Sequence, residues 1–213
     1  SPSLTIDAPD GLVPGKEYDV PVTISNSSGT PASDITTSLA VTAENPAHVE
    51  GITITCADGE ATCAKVDELA PGESTTATYR IAVPASAPVS SYRLVGTGNL
   101  HLDGEARTIS NSVELVGTCV PGMICEAENG QLSGGACFAS NHPNYTGSGF
   151  VACFDTTSSG RRVTQQFAVE SAGTYTLDLR YAAGPHGPVP TGPRTATVTA
   201  NGVSQQVSMP PTG

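Results

Sequence analysis

Residues Tyr18-Asp19-Val20-Pro21-Val22-Thr23-Ile24 alternate apolar and polar side chains, the pattern of a strand with one buried face. Residues 76–83 repeat it. No window places apolar residues at i, i+3, i+4 and i+7, so no amphipathic helix is predicted. Strands are predicted over residues 3–8, 18–25, 35–43, 51–56, 74–83, 91–102 and 108–115. Turn dipeptides punctuate this stretch: Asp10-Gly11, Pro14-Gly15, Ser28-Gly29, Pro71-Gly72 and Asp103-Gly104. Short strands at roughly regular spacing predict an immunoglobulin-like β-sandwich over residues 1–117. Residues 118–123 read as a short linker. A second all-β region follows over 124–213, with strands predicted at 124–128, 149–154, 162–169, 173–182, 194–200 and 203–209. Asn201-Gly202 between the last two is a two-residue hairpin signal. Residues 184–193 form a Gly/Pro loop of the kind that carries recognition.

Composition agrees with this all-β reading. The 213 residues include 23 Gly, 17 Pro and no Trp. The net charge of −11 argues against a nucleic-acid partner, whose phosphates would be repelled. The charge is uneven. Residues 1–118 carry 15 acidic and 5 basic side chains, whereas residues 119–213 carry 5 and 4. The second region therefore has the near-neutral surface that suits uncharged ligands. No apolar run approaches the length of a membrane span, so no membrane partner is expected.

The six cysteines fall into three close pairs: Cys56 and Cys63, Cys119 and Cys125, Cys137 and Cys153. Six cysteines allow 15 pairings, and local pairing is the simplest. The spacings match no zinc pattern. Disulfides imply an oxidising compartment, so a secreted, extracellular protein is expected. The start at Ser1-Pro2 fits a processed piece of a larger exported chain.

Candidate chemistry centres on Glu126-Ala127-Glu128. As part of a strand, two carboxylates at i and i+2 share a face. With no cationic residue nearby in sequence, they suit calcium, a hard cation that takes oxygen ligands. The plainer alternative is a surface carboxylate pair without an ion. Tyr145 and Tyr181 present aromatic faces that complement the C–H face of a pyranose, or else they are core tyrosines with a solvated hydroxyl. Phe150 reads as core. His186 and Arg194 border the long loop and could hydrogen-bond sugar hydroxyls or a carboxylate. Asn201 could do the same, although the turn alone explains it. Glycoside hydrolysis needs two opposed carboxylates. The second region offers Glu126, Glu128, Asp155, Glu170 and Asp178, two of them already claimed for calcium. No nucleophile elbow, zinc-protease helix or P-loop motif occurs. No catalytic residues are assigned.

Two resemblances extend this reading. Residues 22–26, 69–74, 79–84 and 91–94 (Val-Thr-Ile-Ser-Asn, Leu-Ala-Pro-Gly-Glu-Ser, Tyr-Arg-Ile-Ala-Val-Pro and Ser-Tyr-Arg-Leu) resemble the immunoglobulin-like domain found beside alpha-galactosidases, which implies a spacer without a ligand site. Glu126-Ala127-Glu128, the segment 145–151 (Tyr-Thr-Gly-Ser-Gly-Phe-Val), 172–177, 179–182 and Asn201-Gly202 resemble carbohydrate-binding modules of family 35, with family 6 close behind. That likeness implies a jelly-roll β-sandwich, a structural calcium on Glu126 and Glu128 and a glycan site in loops at one end. It also implies a further backbone carbonyl ligand near residues 160–162. Members of the family run further, so the module is expected to be incomplete at its C-terminal end, and the family's Tyr-Ala-Asn-Gly reads Tyr181-Ala182-Ala183-Gly184 here.

The expected function is that of a non-catalytic accessory region of a secreted glycoside hydrolase. It would bind polysaccharide or oligosaccharide and target a catalytic glycosidase domain in the same parent chain. A structural or adhesive cell-surface β-sandwich protein is the alternative.

Overall fold

A computed structural model describes residues 1–154, 160–184 and 192–212. The chain is all-β, as expected, and its described residues divide into two compact units, 1–154 with 160–170 and 171–184 with 192–212. This division follows contacts and differs from the boundary placed at residues 117 and 124 by sequence.

The first unit opens with β1 (Ser3–Ile6), β2 (Glu17–Ser25), β3 (Ala32–Thr42), β4 (Thr53–Cys56), β5 (Val66–Leu69), β6 (Ser74–Ala82), β7 (Tyr92–Leu102) and β8 (Glu105–Leu115). They form two four-stranded sheets, ordered β1-β2-β6-β4 and β5-β3-β7-β8. This is the immunoglobulin-type arrangement with one added edge strand, β5. No strand was expected at β5, because Val66-Asp67-Glu68-Leu69 is too short and too charged to show a pattern. It pairs with β3 all the same.

The alternation seen in the sequence becomes the core. Val20, Val22 and Ile24 of β2 have no solvent exposure, and they face Ile35, Leu94 and Leu100 of the opposite sheet in one apolar cluster. Burying each such side chain stabilises the fold by about 1.5–3 kcal/mol. Gly98 of β7 allows close approach of the sheets: a Cβ there would lie 2.5 Å from Ile24 Cδ1. Pro21 sits where it costs little. It has no N–H to donate, and the β1 ladder ends beside it at Ile6 opposite Val22.

Strand β9 (Thr118–Cys119) occupies the segment expected to be a linker. It is followed by β10 (Gln131–Ser133), β11 (Cys137–Ala139), β12 (Phe150–Ala152), β13 (Arg162–Thr164) and β14 (Gln166–Phe167). The pairs are β10 with β13, β11 with β12 and, in parallel, β14 with β9. The strand expected over 162–169 is divided at Gln165, because Thr164 bonds to β10 and Gln166 to β9. The strand expected at 124–128 does not form. Residues Ala127–Asn129 make a 3₁₀ turn instead.

In the second unit, β15 (Arg194–Ala200) and β16 (Val203–Met209) form a hairpin around Asn201 (φ 49°) and Gly202 (φ 79°). Positive φ at both central residues is what such a turn demands. The strand expected over 173–182 is not present. Its alternating Tyr175, Leu177 and Leu179 stay about half exposed, and a period-2 pattern without a ladder partner does not make a strand.

The cysteines pair locally: Cys56–Cys63, Cys119–Cys125 and Cys137–Cys153, with Cα separations of 5.3, 6.1 and 5.5 Å. The last staples the β11–β12 hairpin. Among the described residues, no helix is long and apolar enough to cross a membrane.

Candidate functional site

Glu126 and Glu128 do converge, but not by sharing a strand face. Glu126 precedes the 3₁₀ turn in an extended conformation, and Glu128 lies inside the turn. Both side chains reach the loop that leads into β12. Glu126 Oε2 accepts a hydrogen bond from the Thr146 hydroxyl at 3.0 Å. Glu128 Oε1 accepts from the backbone N–H of Ser148 and of Gly149, both at 3.1 Å, and from the Ser148 hydroxyl at 3.4 Å.

Gly147 makes this approach possible. A Cβ at that position would lie 2.6 Å from Glu128 Oε1 and 2.9 Å from Glu126 Cδ, and its φ of 66° is left-handed. The two carboxyl groups thus close around a backbone atom that carries no side chain. The Glu-x-Glu spacing and the glycine-rich segment were both visible in the sequence. Their direct contact was not, because twenty residues separate Glu126 from Thr146.

The turn is anchored on three sides. Cys125, next to Glu126, is bonded to Cys119 of β9, which is fully buried. The Gln165 side-chain amide, between β13 and β14, donates to the Glu126 carbonyl at 2.9 Å. On the sandwich side, the Ser91 hydroxyl accepts from the Gly117 N–H at 3.0 Å and donates to the Asn129 carbonyl at 3.5 Å. His48, from a 3₁₀ turn of the sandwich, shares a 2.8 Å hydrogen bond with Ser90. Burial holds the His48 imidazole below its ordinary pKa, and the Glu128 charge partly opposes that shift.

The donor chemistry fits a hard divalent cation in part. Two carboxylates and the hydroxyls of Thr146 and Ser148 are oxygen groups gathered at one place. Among the described residues, no group of three or more His, Cys, Asp or Glu side chains comes together. Calcium coordination would therefore have to be completed by backbone carbonyls and water, as calcium sites commonly are. The Gly160 carbonyl, expected nearby, lies against Gly134, where a side chain would collide with it.

Tyr145 adjoins the carboxylate loop and is 41% exposed. Its ring packs on Phe150 with centroids 6.0 Å apart, and His142 meets the same Phe150 ring at 5.9 Å. Phe150 itself is half-buried. The remaining candidates belong to the second unit or lie outside the described residues. The Tyr181 hydroxyl donates to the Pro210 carbonyl at 3.2 Å. Arg194 opens β15 opposite Met209, so both residues mark the open end of the hairpin. Asn201 sits at its tip, seven residues away in strand, or about 20 Å. It occupies the turn and is not gathered with Tyr181 and Arg194. His186 lies outside the described residues.

Comparison with known proteins finds no matching family model. A 59-residue segment is 46% identical to an isomaltosyltransferase of Sporosarcina globispora, covering 28% of this chain and 5% of that protein. The chain thus spans about one twentieth of that relative's length. Among solved structures, alpha-2-macroglobulin of E. coli is similar over 56% of this chain and 7% of its own, with TM-score 0.39 and 18% identity. The GAE domain of GGA2p from Saccharomyces cerevisiae is similar over 54% and 91%, with TM-score 0.35 and 14% identity. A family 123 glycoside hydrolase from Clostridium perfringens is similar over 55% and 27%, with TM-score 0.34 and 13% identity. Nothing about function follows from structural likenesses this low. What the comparisons do supply is one 59-residue segment similar to part of an isomaltosyltransferase.

Proposed function

We propose that this chain is a non-catalytic accessory region of a secreted carbohydrate-active enzyme. Its 124–213 region would be a calcium-dependent carbohydrate-binding module resembling family 35, and the preceding sandwich a spacer. The observation that carries this reading is the meeting of Glu126 and Glu128 around Gly147, directly beside the exposed ring of Tyr145. A calcium ion there, held by Glu126 and Glu128, would cross-link the turn to the 146–149 loop and so fix the position of Tyr145. Tyr145 would then stack on a pyranose face while its hydroxyl remains available for hydrogen bonding. The counterpart segment in an isomaltosyltransferase supports a carbohydrate setting, and the three disulfides support an oxidising, extracellular one.

The role follows from mass action. Holding a catalytic domain near polysaccharide raises the effective substrate concentration without a new catalytic group. A shallow site of this kind binds weakly, because little area is buried and sugar hydroxyls must be desolvated.

The test is a thermal melt with calcium or chelator, each crossed with galactose, mannose, xylose and glucuronate. A calcium-dependent rise in midpoint with a further rise for one sugar is expected. A flat response in all conditions sinks the reading. A calcium response without any sugar response would leave a metal-stabilised spacer.

A second reading has its own observation. Tyr175, Leu177, Leu179 and Val203 of the second unit are exposed apolar side chains, which suits a structural or adhesive protein that associates through this unit. Concentration-dependent assembly without sugar binding would favour it.

A further inference from the structure

We infer that the Cys119–Cys125 disulfide and the Gln165 amide act together as a positioning device for the carboxylate pair, so that cation affinity at Glu126 and Glu128 depends on that disulfide being closed. The inference rests on the metal reading above and extends it to control of the site.

The two anchors hold adjacent residues, Cys125 and Glu126, and both start from one ladder. Cys119 is fully buried in β9, and the parallel ladder is secured by the Gln166 N–H donating to the Gly117 carbonyl at 3.2 Å and the Ala168 N–H donating to the Cys119 carbonyl at 2.8 Å. From β9 the disulfide crosses to Cys125, the residue before Glu126. From the residue preceding β14, the Gln165 amide reaches the Glu126 carbonyl. Glu126 is thus fixed at its amino side by a covalent bridge and at its carbonyl by a hydrogen bond. Between Cys119 and Cys125, the hydrogen bond from the Met123 N–H to the Val120 carbonyl at 3.2 Å lies within the segment itself, and Met123 and Ile124 are 37% and 83% exposed. Opening the bridge frees Val120 to Cys125 to swing, and the Glu126 carboxylate with them. The loop that receives the carboxylates is stapled separately by Cys137–Cys153, so it stays in place when the turn moves.

Opening requires a dithiol reductant. Two electrons pass to the S–S bond, Cys119 and Cys125 become thiols, and the reductant closes its own disulfide. Linkage makes the effect reciprocal: a cation that binds the closed form more tightly also makes the disulfide harder to reduce.

The experiment measures calcium affinity by calorimetry for the unsubstituted protein, for Cys119→Ser with Cys125→Ser, for Gln165→Ala, and for Cys56→Ser with Cys63→Ser as a control bridge remote from the turn. Loss of a partner that orients a metal ligand commonly weakens affinity about 10–100-fold, and a loss in that range is expected for the first two variants only. Melting in chelator is recorded in parallel, since a merely structural role would lower the midpoint and leave affinity unchanged. Should the double serine variant fail to fold, Gln165→Ala decides, and unchanged affinity there overturns the inference. Equal affinity in a folded double variant also overturns it. If the unsubstituted protein binds no calcium, the metal reading itself fails and the inference falls with it.

Discussion

Glu128 Oε1 accepts the backbone N–H of Gly149 at 3.1 Å, tying the 3₁₀ turn to a loop 21 residues further along the chain. Through this bond the carboxylate has a structural duty as well as the proposed ligand role. Replacing it therefore has two separable consequences. Glu128→Ala removes the acceptor for two backbone N–H groups and should cost about 1–3 kcal/mol in chelator. Glu128→Gln keeps an acceptor oxygen and should stay near the unsubstituted stability in chelator. Both should abolish any calcium-dependent rise in melting midpoint. A calcium response that survives in Glu128→Gln would remove Glu128 from the ligand set.

Gly147→Ala should disturb the same site from the other side. A left-handed φ of 66° costs an alanine about 1–2 kcal/mol, and its methyl group would press on both carboxyl groups. The expected outcome is lower stability in chelator together with weaker calcium binding, read by melting and calorimetry. Calcium affinity equal to that of the unsubstituted protein would show that the two carboxylates need not close around this atom.

Asn26 tests the sandwich alone. It is 1% exposed, its amide donates to the carbonyls of Thr30 at 3.0 Å and Leu69 at 2.9 Å, and its oxygen accepts from the Ser28 N–H at 3.1 Å. Asn26→Ala should cost about 2–3 kcal/mol by chemical denaturation, because buried partners are left unpaired. Although Asn26-Ser27-Ser28 has the form of a glycosylation sequon, the folded protein should accept no glycan at Asn26. Mass spectrometry after eukaryotic secretion would check this.

His48 gives stability a pH dependence. Burial favours its neutral form, so its folded pKa lies below the ordinary 6.5, with Glu128 partly opposing. As pH falls through about 6.5, the unfolded chain takes up the proton first, and the stability present above that value is lost towards the lower folded pKa. The imidazole faces Ser90 and Asn45, which are uncharged, as well as the Glu128 charge. His48→Gln should flatten the acid side of the stability profile below about pH 6.5, measured by denaturation in chelator. An unchanged profile would mean that other groups set it.

Strand β2 was legible because Val20, Val22 and Ile24 repeat with the period of the pleat, and the core of a sandwich selects for that period. The local disulfides and the Asn201-Gly202 turn were legible for a related reason: each is decided by residues close together in the chain. β5 was not, since four residues bonded to a partner more than thirty positions earlier leave no local mark. The segment 173–182 shows the converse. It carries a strand's alternation, and the pattern remains an unmet potential while Tyr175, Leu177 and Leu179 are uncovered.

The sequence by itself determined the all-β class, made local cysteine pairing the simplest choice and singled out the two carboxylates, because composition, turn chemistry and spacing are local properties. Tertiary structure decided that Glu126 and Glu128 meet at Gly147 and not along a strand. It also decided that Gln165 divides a strand between two partners, and that Cys119 and Gln165 hold one turn from one ladder. Those outcomes depend on which distant backbone groups satisfy one another's hydrogen bonds, and that choice is made only when the whole chain is packed.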